Sequence, residues 1–418
     1  MKERTIACSD NLTIRQTVAT FPGKVSILLF FTFLTRISFF MAWPFLSIIL
    51  TRTYQLTPIA IGGLMSGCTI VSIIMGVYGG AMSDRLGRKK LMIFGCLFAI
   101  VGYASIGMAN SVPVFAFGLL LTSISFSWAD VPGRALMSDL LQDQKRRELA
   151  LQIRYCAINI AAVSGPIIGI TIGLNSQKST FLLTSLSYVP FLLFSLFFVP
   201  AGKLVDHKDS DETSDTKMNT WQMCRVILKD NVYVVVLISS ILSYLVYSQF
   251  DSVLPQYFLM LDSALAVDLV TVVLVTNALT VLVAQLYLVP YFVNTSLEKR
   301  ITVGVVILAV SQLLFWSNET SSTLWWGACA FVFSVAEAIL LPNLSILLDR
   351  LAPAHHRGAY LGASTLVMLG LSLGRIIGGA LLEWCGKNVF FVMSLLCLCI
   401  AFLMLINDKK IKIRLTDS

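Results

Sequence analysis

The chain of 418 residues is 56% hydrophobic and 13% charged, with a mean hydropathy of +0.80. This balance excludes an ordinary soluble globular protein and indicates repeated membrane spans of about 20 apolar residues each. The net charge of +8 is carried in short loops between apolar runs, so membrane topology explains it and no nucleic-acid partner is expected. The nine cysteines show no paired spacing, so neither disulfides nor a metal site is predicted.

Twelve apolar runs are long enough to cross a membrane. They cover residues 25–50, 59–83, 91–109, 113–139, 150–174, 179–200, 231–257, 268–293, 301–317, 323–348, 358–382 and 388–407. An even number places both termini on one side of the membrane. Most of the Lys and Arg residues fall on that side, and the opposite loops hold only Arg52, Lys178 and Lys387. Both termini are therefore predicted to be cytosolic.

The two halves of the chain repeat each other. The sequence that begins at Pro132 aligns with the one that begins at Pro342, and segment 165–169 aligns with segment 374–378 at nearly the same offset. This indicates a duplicated six-helix unit. We predict an all-α membrane protein of twelve helices in two pseudo-symmetric bundles.

The domain boundaries follow from composition. Residues 25–200 and 231–407 are predicted to form the amino-terminal and carboxyl-terminal bundles. Residues 201–230 are charged and rich in Ser and Thr without an apolar period, which is typical of a cytosolic linker. Residues 1–24 and 408–418 are predicted to be cytosolic ends, and the first of these lacks the apolar stretch of a signal peptide.

A tight basic turn joins the second and third apolar runs. Its sequence, from residue 80 to residue 90, is GAMSDRLGRKK. It resembles the G-x-L-(A/S)-D-R-x-G-R-(K/R)-(K/R) signature of the major facilitator superfamily, with Met82 in place of the usual leucine. The resemblance implies the fold of that superfamily and secondary active transport by alternating access, with no enzymatic activity and no cofactor beyond a proton gradient.

The resemblance also implies a conformational latch on the cytosolic side. The residues assigned to it are Gly80, Asp84, Arg85, Gly87, Arg88 and Asp139. In the family the signature aspartate approaches the amino end of helix 11, where unsatisfied N–H groups favour a negative charge. The second arginine of the signature pairs with an acid on helix 4, here Asp139. We expect the latch to hold the outward-open state, and ordinary interfacial ion pairs are the alternative.

A small-residue motif lies in the fifth run. Gly165-Pro166-x-x-Gly169 resembles the G-x-x-x-G-P-x-x-G-G motif of exporters that exchange substrate for a cation, with Ala161 and Ile170 in place of the outer glycines. The resemblance favours antiport. The alternative is helix packing, because small residues at every fourth position let two helix backbones approach closely.

Charged residues inside the predicted spans are functional candidates, because a charge at membrane depth is costly. Glu337 is the first candidate for proton coupling and Asp251 the second, since a buried carboxyl can bind and release protons near neutral pH. Permanent pairing of Glu337 with an arginine is the alternative. Arg36 and Arg375 each need either a protein carboxylate or an anionic substrate, which favours a substrate with carboxylate character.

The uncharged polar residues of the spans complete the candidate set. Predicted substrate contacts are Arg36, Gln249, Asn277 and Arg375, with Asn159 and Gln285 as further cavity candidates. Each uncharged one could instead make a buried interhelical hydrogen bond.

Asp130 and Arg134 are four residues apart on one helix and can pair with each other. Arg154, at the start of the fifth run, is either interfacial or intramembrane.

Within the superfamily the chain looks most like bacterial drug:proton antiporters and their peptide and siderophore exporting relatives. The stretches that suggest this are Pro44-Phe45, Asn159 before Gly165-Pro166, and Ala336-Glu337 before Pro342. We predict a monomeric, proton-coupled exporter of small organic molecules in the bacterial inner membrane. The alternatives are a proton-coupled importer of a peptide or sugar, and a sensor or enzyme that does not transport. The latter is disfavoured because the chain lacks a P-loop and an H-E-x-x-H motif.

Overall fold

The computed structural model describes residues 21–141, 143–173, 177–199, 226–284, 287, 295–353 and 357–417. These residues form helices and connecting turns, without a β-strand among them, and twelve of the helices are long and apolar enough to cross a membrane. Residues 201–225 of the predicted linker 201–230, the segment 1–20 and Gln285 lie outside the described residues.

The twelve membrane helices agree with the predicted spans in number and order. They are α1 (Gly23–Tyr54), α2 (Pro58–Leu86), α3 (Arg88–Gly107), α4 (Val112–Leu140), α5 (Gln144–Gly173), α6 (Gln177–Phe197), α7 (Asn231–Leu261), α8 (Ala266–Val283), α9 (Leu297–Ser317), α10 (Thr323–Arg350), α11 (Gly362–Cys385) and α12 (Asn388–Asp417). A helix from Arg357 to Ser364 leads into α11.

Three of the membrane helices contain a break. In α1 a 3-10 turn at Trp43–Phe45 separates two α-helical pieces. The break coincides with Pro44, since proline has no backbone N–H to continue the helix. In α7 the regular helix stops at Tyr247 and resumes at Gln249, and α11 contains a 3-10 turn at Thr365–Val367. All three helices contribute charged or aromatic side chains to the site described below.

The end of the chain differs from the prediction. Residues 408–417, predicted as a tail, continue α12 as helix. Ile411 of this extension is fully buried, and Lys412 forms an i,i+4 ion pair with Asp408, so the extension has both a packed face and a solvated face. Arg414 donates to Asp230 at 3.2 Å, and Asp230 caps the start of α7. The extension is thereby fixed to the beginning of the second bundle.

The buried apolar side chains form two clusters, one for each half of the sequence. The first contains residues between Phe21 and Val199 only. The second contains residues from Ile227 to Ile411, together with Phe45 and Ile48 of α1. Two separate cores, each built from six consecutive helices, are the packing expected of two bundles.

The bundles meet where α2 packs against α11, in the half of the membrane away from the two termini. A β-carbon at Gly62 would collide with the carbonyl of Arg375, and one at Gly379 would collide with that of Pro58. These glycines are therefore what lets the two backbones touch. One helical turn beyond the Gly62 contact, the hydroxyl of Ser66 donates to the carbonyl of Ser372 at 2.5 Å, and the Ser372 hydroxyl donates to the carbonyl of Ser66 at 3.1 Å.

The helix ends on the same side add two further contacts between the bundles. Arg52, at the end of α1, donates to the carbonyl of Ser263 beyond α7. The backbone N–H of Ile59 donates to the carboxylate of Glu383 at 3.3 Å. The side of the membrane opposite the termini is thus bridged by several contacts between the halves.

Candidate functional site

Three arginines of the amino-terminal bundle surround one carboxylate. Asp130 Oδ1 accepts a hydrogen bond from Arg36 at 2.7 Å and one from Arg154 at 2.5 Å, and Asp130 Oδ2 lies 3.2 Å from Nε of Arg134. The side chains of Arg36 and Arg154 are only 13% and 11% exposed, whereas that of Arg134 is 48% exposed. We call these four residues the arginine cluster. It holds three positive charges against one negative charge.

The antiparallel course of α4 and α5 brings the cluster together. Asp130 lies about ten residues before the end of α4, and Arg154 about ten residues after the start of α5. At about 1.5 Å per residue, both side chains sit about 15 Å from the loop that joins the two helices. Equal spacing from a shared loop is the sequence signal that would have paired them.

The cluster bears on two alternatives that the sequence left open. Arg36 needed either a protein carboxylate or an anionic substrate, and in this conformation its partner is the carboxylate of Asp130 in the same bundle. Arg154 is largely enclosed and shares that partner, so it is an intramembrane residue rather than an interfacial one. The predicted pair of Asp130 with Arg134 is present, but it has the longest of the three separations.

A small pocket of about 30 Å³ adjoins the cluster. Because one water needs about 10–15 Å³ by the same measure, the pocket has room for a group of carboxylate size rather than for a whole substrate. Phe126 and Tyr188 form part of its wall. The guanidinium of Arg36 lies 4.4 Å from the centre of the Phe126 ring, a cation–π contact that holds the arginine in place.

A larger cavity of about 340 Å³ lies between the two bundles. Its aromatic wall comes from the amino-terminal bundle and consists of Phe39, Trp43, Tyr103, Phe126 and Tyr188. The carboxyl-terminal bundle contributes Met368, Leu371 and Arg375 of α11. An apolar cavity of this size with a few polar groups is typical of a small-molecule site. We call it the central cavity, and Phe126 and Tyr188 line both it and the small pocket.

Arg375 connects the two bundles at the central cavity. Its guanidinium donates to Asp251 of α7 at 2.7 Å and to the hydroxyl of Thr69 on α2. The Arg375 side chain is 9% exposed and that of Asp251 is 32% exposed. Asp251 is thus the protein carboxylate that Arg375 required, as the sequence suggested for one of the two arginines. Unlike the arginine cluster, this pair is balanced in charge.

Glu337 of α10 is held by neutral groups. Asn277 of α8 donates to Glu337 Oε2 at 2.6 Å, and the hydroxyl of Tyr247 on α7 donates to Oε1 at 3.0 Å. Among the described residues no arginine or lysine forms an ion pair with Glu337. The predicted alternative, a permanent arginine partner, is therefore not what this conformation shows. Asn277 also donates to Ser334 at 2.9 Å, so its amide serves the Glu337 site.

Gln249 has a packing role in this conformation. Its side chain is fully buried, and its amide donates to the carbonyls of Leu245 and Gly374 at 2.8 and 2.9 Å. It joins α7 to α11 and is not among the residues that line the central cavity. This is the interhelical hydrogen bond that the sequence left open as the alternative to substrate contact.

The basic turn after α2 is partly described. Gly87 has a φ of +86°, a conformation that favours glycine, and Arg88 at the start of α3 forms an ion pair with Asp139 near the end of α4. The pairing that the resemblance implied for Arg88 is thus present within one bundle. The side chains at Gly80, Asp84 and Arg85 lie outside those the structure describes, so the latch itself stays a prediction.

The glycines of the α5 motif pack against α1. A β-carbon at Gly165 would press on Phe40, and one at Gly169 would collide with the backbone of Met41. Pro166 lies inside the helix between them. Nearer the termini on the same helix, the amide nitrogen of Asn159 is buried without a partner among the described residues. The motif therefore forms a close contact between two helices of the same bundle.

Similar proteins support the same architecture. A Bacillus subtilis (strain 168) protein named uncharacterized MFS-type transporter YqjV is 28% identical over 375 residues, which cover 87% of this chain and 88% of that protein. The multidrug resistance protein MdtH of Salmonella newport (strain SL254) is 24% identical over 361 residues, or 84% of each chain.

Solved structures share the fold at lower identity. A crystal structure of the peptide transporter POT in complex with sulfate superposes with a TM-score of 0.78 at 13% identity, covering 96% of this chain and 99% of that one. A crystal structure of the nucleoside transporter NupG gives 0.74 at 13% identity, covering 92% and 98%. The sequence itself matches the Major Facilitator Superfamily over residues 28–368 and 236–416. Twelve membrane helices in two bundles, a cavity between them and this match together show that the chain belongs to the Major Facilitator Superfamily of membrane transporters.

Proposed function

We propose that this membrane transporter exports small organic molecules in exchange for protons, and that Glu337 carries the proton. The observation that supports this most directly is the environment of Glu337. Its partners are the amide of Asn277 and the hydroxyl of Tyr247. Neither is charged, so neither holds the carboxyl permanently in its ionised form.

Asp251 differs from Glu337 because its partner is a charged residue. An arginine stabilises the ionised form of a neighbouring carboxyl, and Arg375 donates to Asp251 at 2.7 Å. Protonation of Asp251 would also release Arg375, which in addition donates to Thr69 in the other bundle. Asp251 is therefore the second candidate for the proton site. Its more direct role is to hold Arg375 at the contact between the bundles.

Alternating access fits the way the halves meet. The α2–α11 contact closes the side of the membrane opposite the termini, and with the predicted cytosolic termini that is the external side. A central cavity between two separate cores can then be exposed to either side as the bundles rock. The proposed latch would favour the opposite, outward-open state.

Export rather than uptake rests on two supports. MdtH, which covers most of this chain, is named a multidrug resistance protein. The Gly165-Pro166-x-x-Gly169 motif resembles that of exporters that exchange substrate for a cation. A proton-coupled importer of a small nutrient uses the same fold and is the competing hypothesis.

A flux experiment in proteoliposomes decides between these functions. Purified protein is reconstituted into vesicles that are acidic inside, and a panel of drugs and organic acids is added outside. Antiport predicts accumulation of a substrate inside together with loss of the internal acidity, and neither should occur without the pH gradient. Accumulation that needs the opposite gradient would identify an importer. Movement that ignores the gradient in both directions would refute proton coupling.

A further inference from the structure

We infer that the arginine cluster binds the anionic group of the transported molecule, so that the substrate class is an aromatic or apolar compound that carries a carboxylate. This inference rests on the proposed function only for the movement of the compound, since binding itself needs neither the pH gradient nor Glu337. It adds Arg154 and Arg134 to the substrate site, whereas the sequence indicated only Arg36 in this bundle.

The first argument is the imbalance of charge. Arg36, Arg134 and Arg154 face a single carboxylate, that of Asp130, among the described residues. A charge inside a membrane is costly unless it is compensated. Arg134 is half exposed and reaches solvent, but Arg36 and Arg154 are largely enclosed. A bound anion would compensate the charge that Asp130 leaves over.

The second argument is the number of free donors. A guanidinium has five N–H donors arranged to bind a carboxylate through two parallel hydrogen bonds. Arg36 and Arg154 each use one terminal nitrogen on the same oxygen of Asp130, and neither has another hydrogen bond among the described residues. Each therefore presents unused donors beside the same point. Arg375 differs, because it divides its donors between Asp251 and Thr69.

The third argument is the shape of the space beside the cluster. The pocket of about 30 Å³ next to the arginines is large enough for a carboxylate, and it shares Phe126 and Tyr188 with the central cavity of about 340 Å³. A ligand can therefore place its anionic group at the arginines and its body between the aromatic side chains. Aromatic walls favour ring systems, which stack or pack edge-to-face against them.

Asp130 has a distinct role in this arrangement. Its carboxylate occupies the donors that a substrate carboxylate would use, so it acts as an internal competitor that keeps the arginines oriented and limits affinity. Removal of its charge should leave three uncompensated cations and strengthen the binding of an anion. A purely structural ion pair predicts the reverse, because loss of one partner would disorganise the site.

Binding to the detergent-solubilised protein, measured by calorimetry at one pH and without a gradient, tests the inference. The probes are three aromatic carboxylates, 1-naphthoate, 2-naphthoxyacetate and 4-phenylbutyrate, each paired with its neutral primary amide. We expect at least one carboxylate to bind, and its amide to bind at least about tenfold more weakly, since a hydrogen bond between two charged groups is stronger than one to a neutral amide.

The variants locate the site. Arg154→Gln and Arg36→Ala should each weaken carboxylate binding about tenfold or more without changing amide binding, Arg36→Lys should weaken it less, and Asp130→Asn should strengthen it. Arg146→Gln, which removes an exposed charge from the same helix as Arg154, is the matched control and should bind like the unmodified protein. Should Arg154→Gln or Arg36→Ala not fold, Arg36→Lys and Asp130→Asn still decide the outcome.

Three results would overturn the inference: failure of all three carboxylates to bind, equal binding of carboxylates and amides, or carboxylate binding that survives Arg154→Gln and Arg36→Ala. A carboxylate that binds through the arginine cluster but is not moved by a pH gradient would leave this inference standing and refute the proposed proton coupling. The two proposals therefore fail separately.

Discussion

The two bundles share one architecture but carry opposite charge at membrane depth. In the amino-terminal bundle three arginines surround Asp130, so positive charge is in excess. Among the described residues at membrane depth in the carboxyl-terminal bundle, Glu337 and Asp251 accompany Arg375, so negative charge is in excess. The two proposals above assign the positive half to an anionic group and the negative half to a proton.

The surroundings of the charged residues also differ between the two bundles. The arginines sit against aromatic rings and open toward a pocket, which is how a ligand site is built. Glu337 is enclosed by two hydrogen-bond donors from neighbouring helices, which is how a site for a single proton is built. The substrate site and the proton site would then be coupled only through the relative movement of the bundles. Arg375 bonds to both halves, so that movement would change its contacts.

The largest expected effect is the loss of proton coupling in one half while substrate binding in the other half is kept. Glu337→Gln keeps the shape of the side chain and removes its proton exchange, so substrate accumulation driven by a pH gradient should fall to the level seen without one. Substrate binding at the amino-terminal half should stay within about twofold, because it does not involve Glu337. Proteoliposome flux and calorimetry measure the two properties. Glu319→Gln, an exposed acid that pairs with Lys387, is the control. Gradient-driven export in Glu337→Gln would eliminate this residue as the proton site.

The next effect concerns the basic turn of the amino-terminal half. Asp84→Asn and Arg88→Ala should slow transport about tenfold, which corresponds to a loss of about 1.4 kcal/mol from one of the two conformations. Expression and thermal stability should change little. Arg300→Ala, at the start of α9 in the carboxyl-terminal half, removes a cation that bonds to the nearby Thr295 and should have a small effect. Transport by either latch variant at the unmodified rate would show that the turn is only an interfacial loop.

A smaller effect is expected where the two halves touch. Gly62→Ala places a methyl group against the backbone of Arg375, and overpacking of this kind costs about 1–3 kcal/mol. The closed conformation should lose population, and spin labels at Thr53 and Ala264 should move apart. Gly63→Ala is the matched control, because its nearest neighbour would lie 3.8 Å away, an ordinary contact. An unchanged distance distribution in Gly62→Ala would mean that the contact yields without separating the bundles.

The smallest effect is expected beside Glu337. Tyr247→Phe removes one of the two hydrogen bonds to the carboxylate while it retains the ring that stacks on Phe333. A hydrogen bond contributes about 1 kcal/mol, so the pH at which transport is half-maximal should rise by under one unit. The direction follows because the lost bond stabilises the ionised carboxylate. A pH profile of flux measures the shift, and a profile displaced to lower pH would contradict the assignment.

The fold could be predicted from the sequence because each membrane helix is recognisable from its own stretch of residues. Length and apolar composition define each span, and the repeated segments define the bundles. The pairing of Arg375 with Asp251 was left open, since the sequence offered each intramembrane arginine either a protein carboxylate or an anionic substrate. The helical continuation of α12 to Asp417 was missed, because its stability comes from contacts distant in sequence, such as that between Arg414 and Asp230.

The site was predicted less completely, for a physical reason. A sequence gives the depth of a charge but not which face of its helix points inward. Arg154 and Asp130 have equal depth, yet only their facing sides bring them to 2.5 Å. The same limit hid Tyr247 among many aromatic residues, and it left Gln249 open between packing and ligand binding. Depth combined with the antiparallel course of neighbouring helices would have recovered the arginine cluster.

The reciprocal serine contact between α2 and α11 bears on what it costs to separate the two bundles. Ser66 and Ser372 each give a hydroxyl proton to the other's carbonyl. When the helices part, each hydroxyl can turn back to a carbonyl of its own helix, as Thr35 and Ser38 already do. Neither serine hydroxyl is then left without a hydrogen-bond partner. Separation of the two helices at this point would therefore cost these hydroxyls no hydrogen bond, so the contact can close and open again without a lasting penalty from the pair.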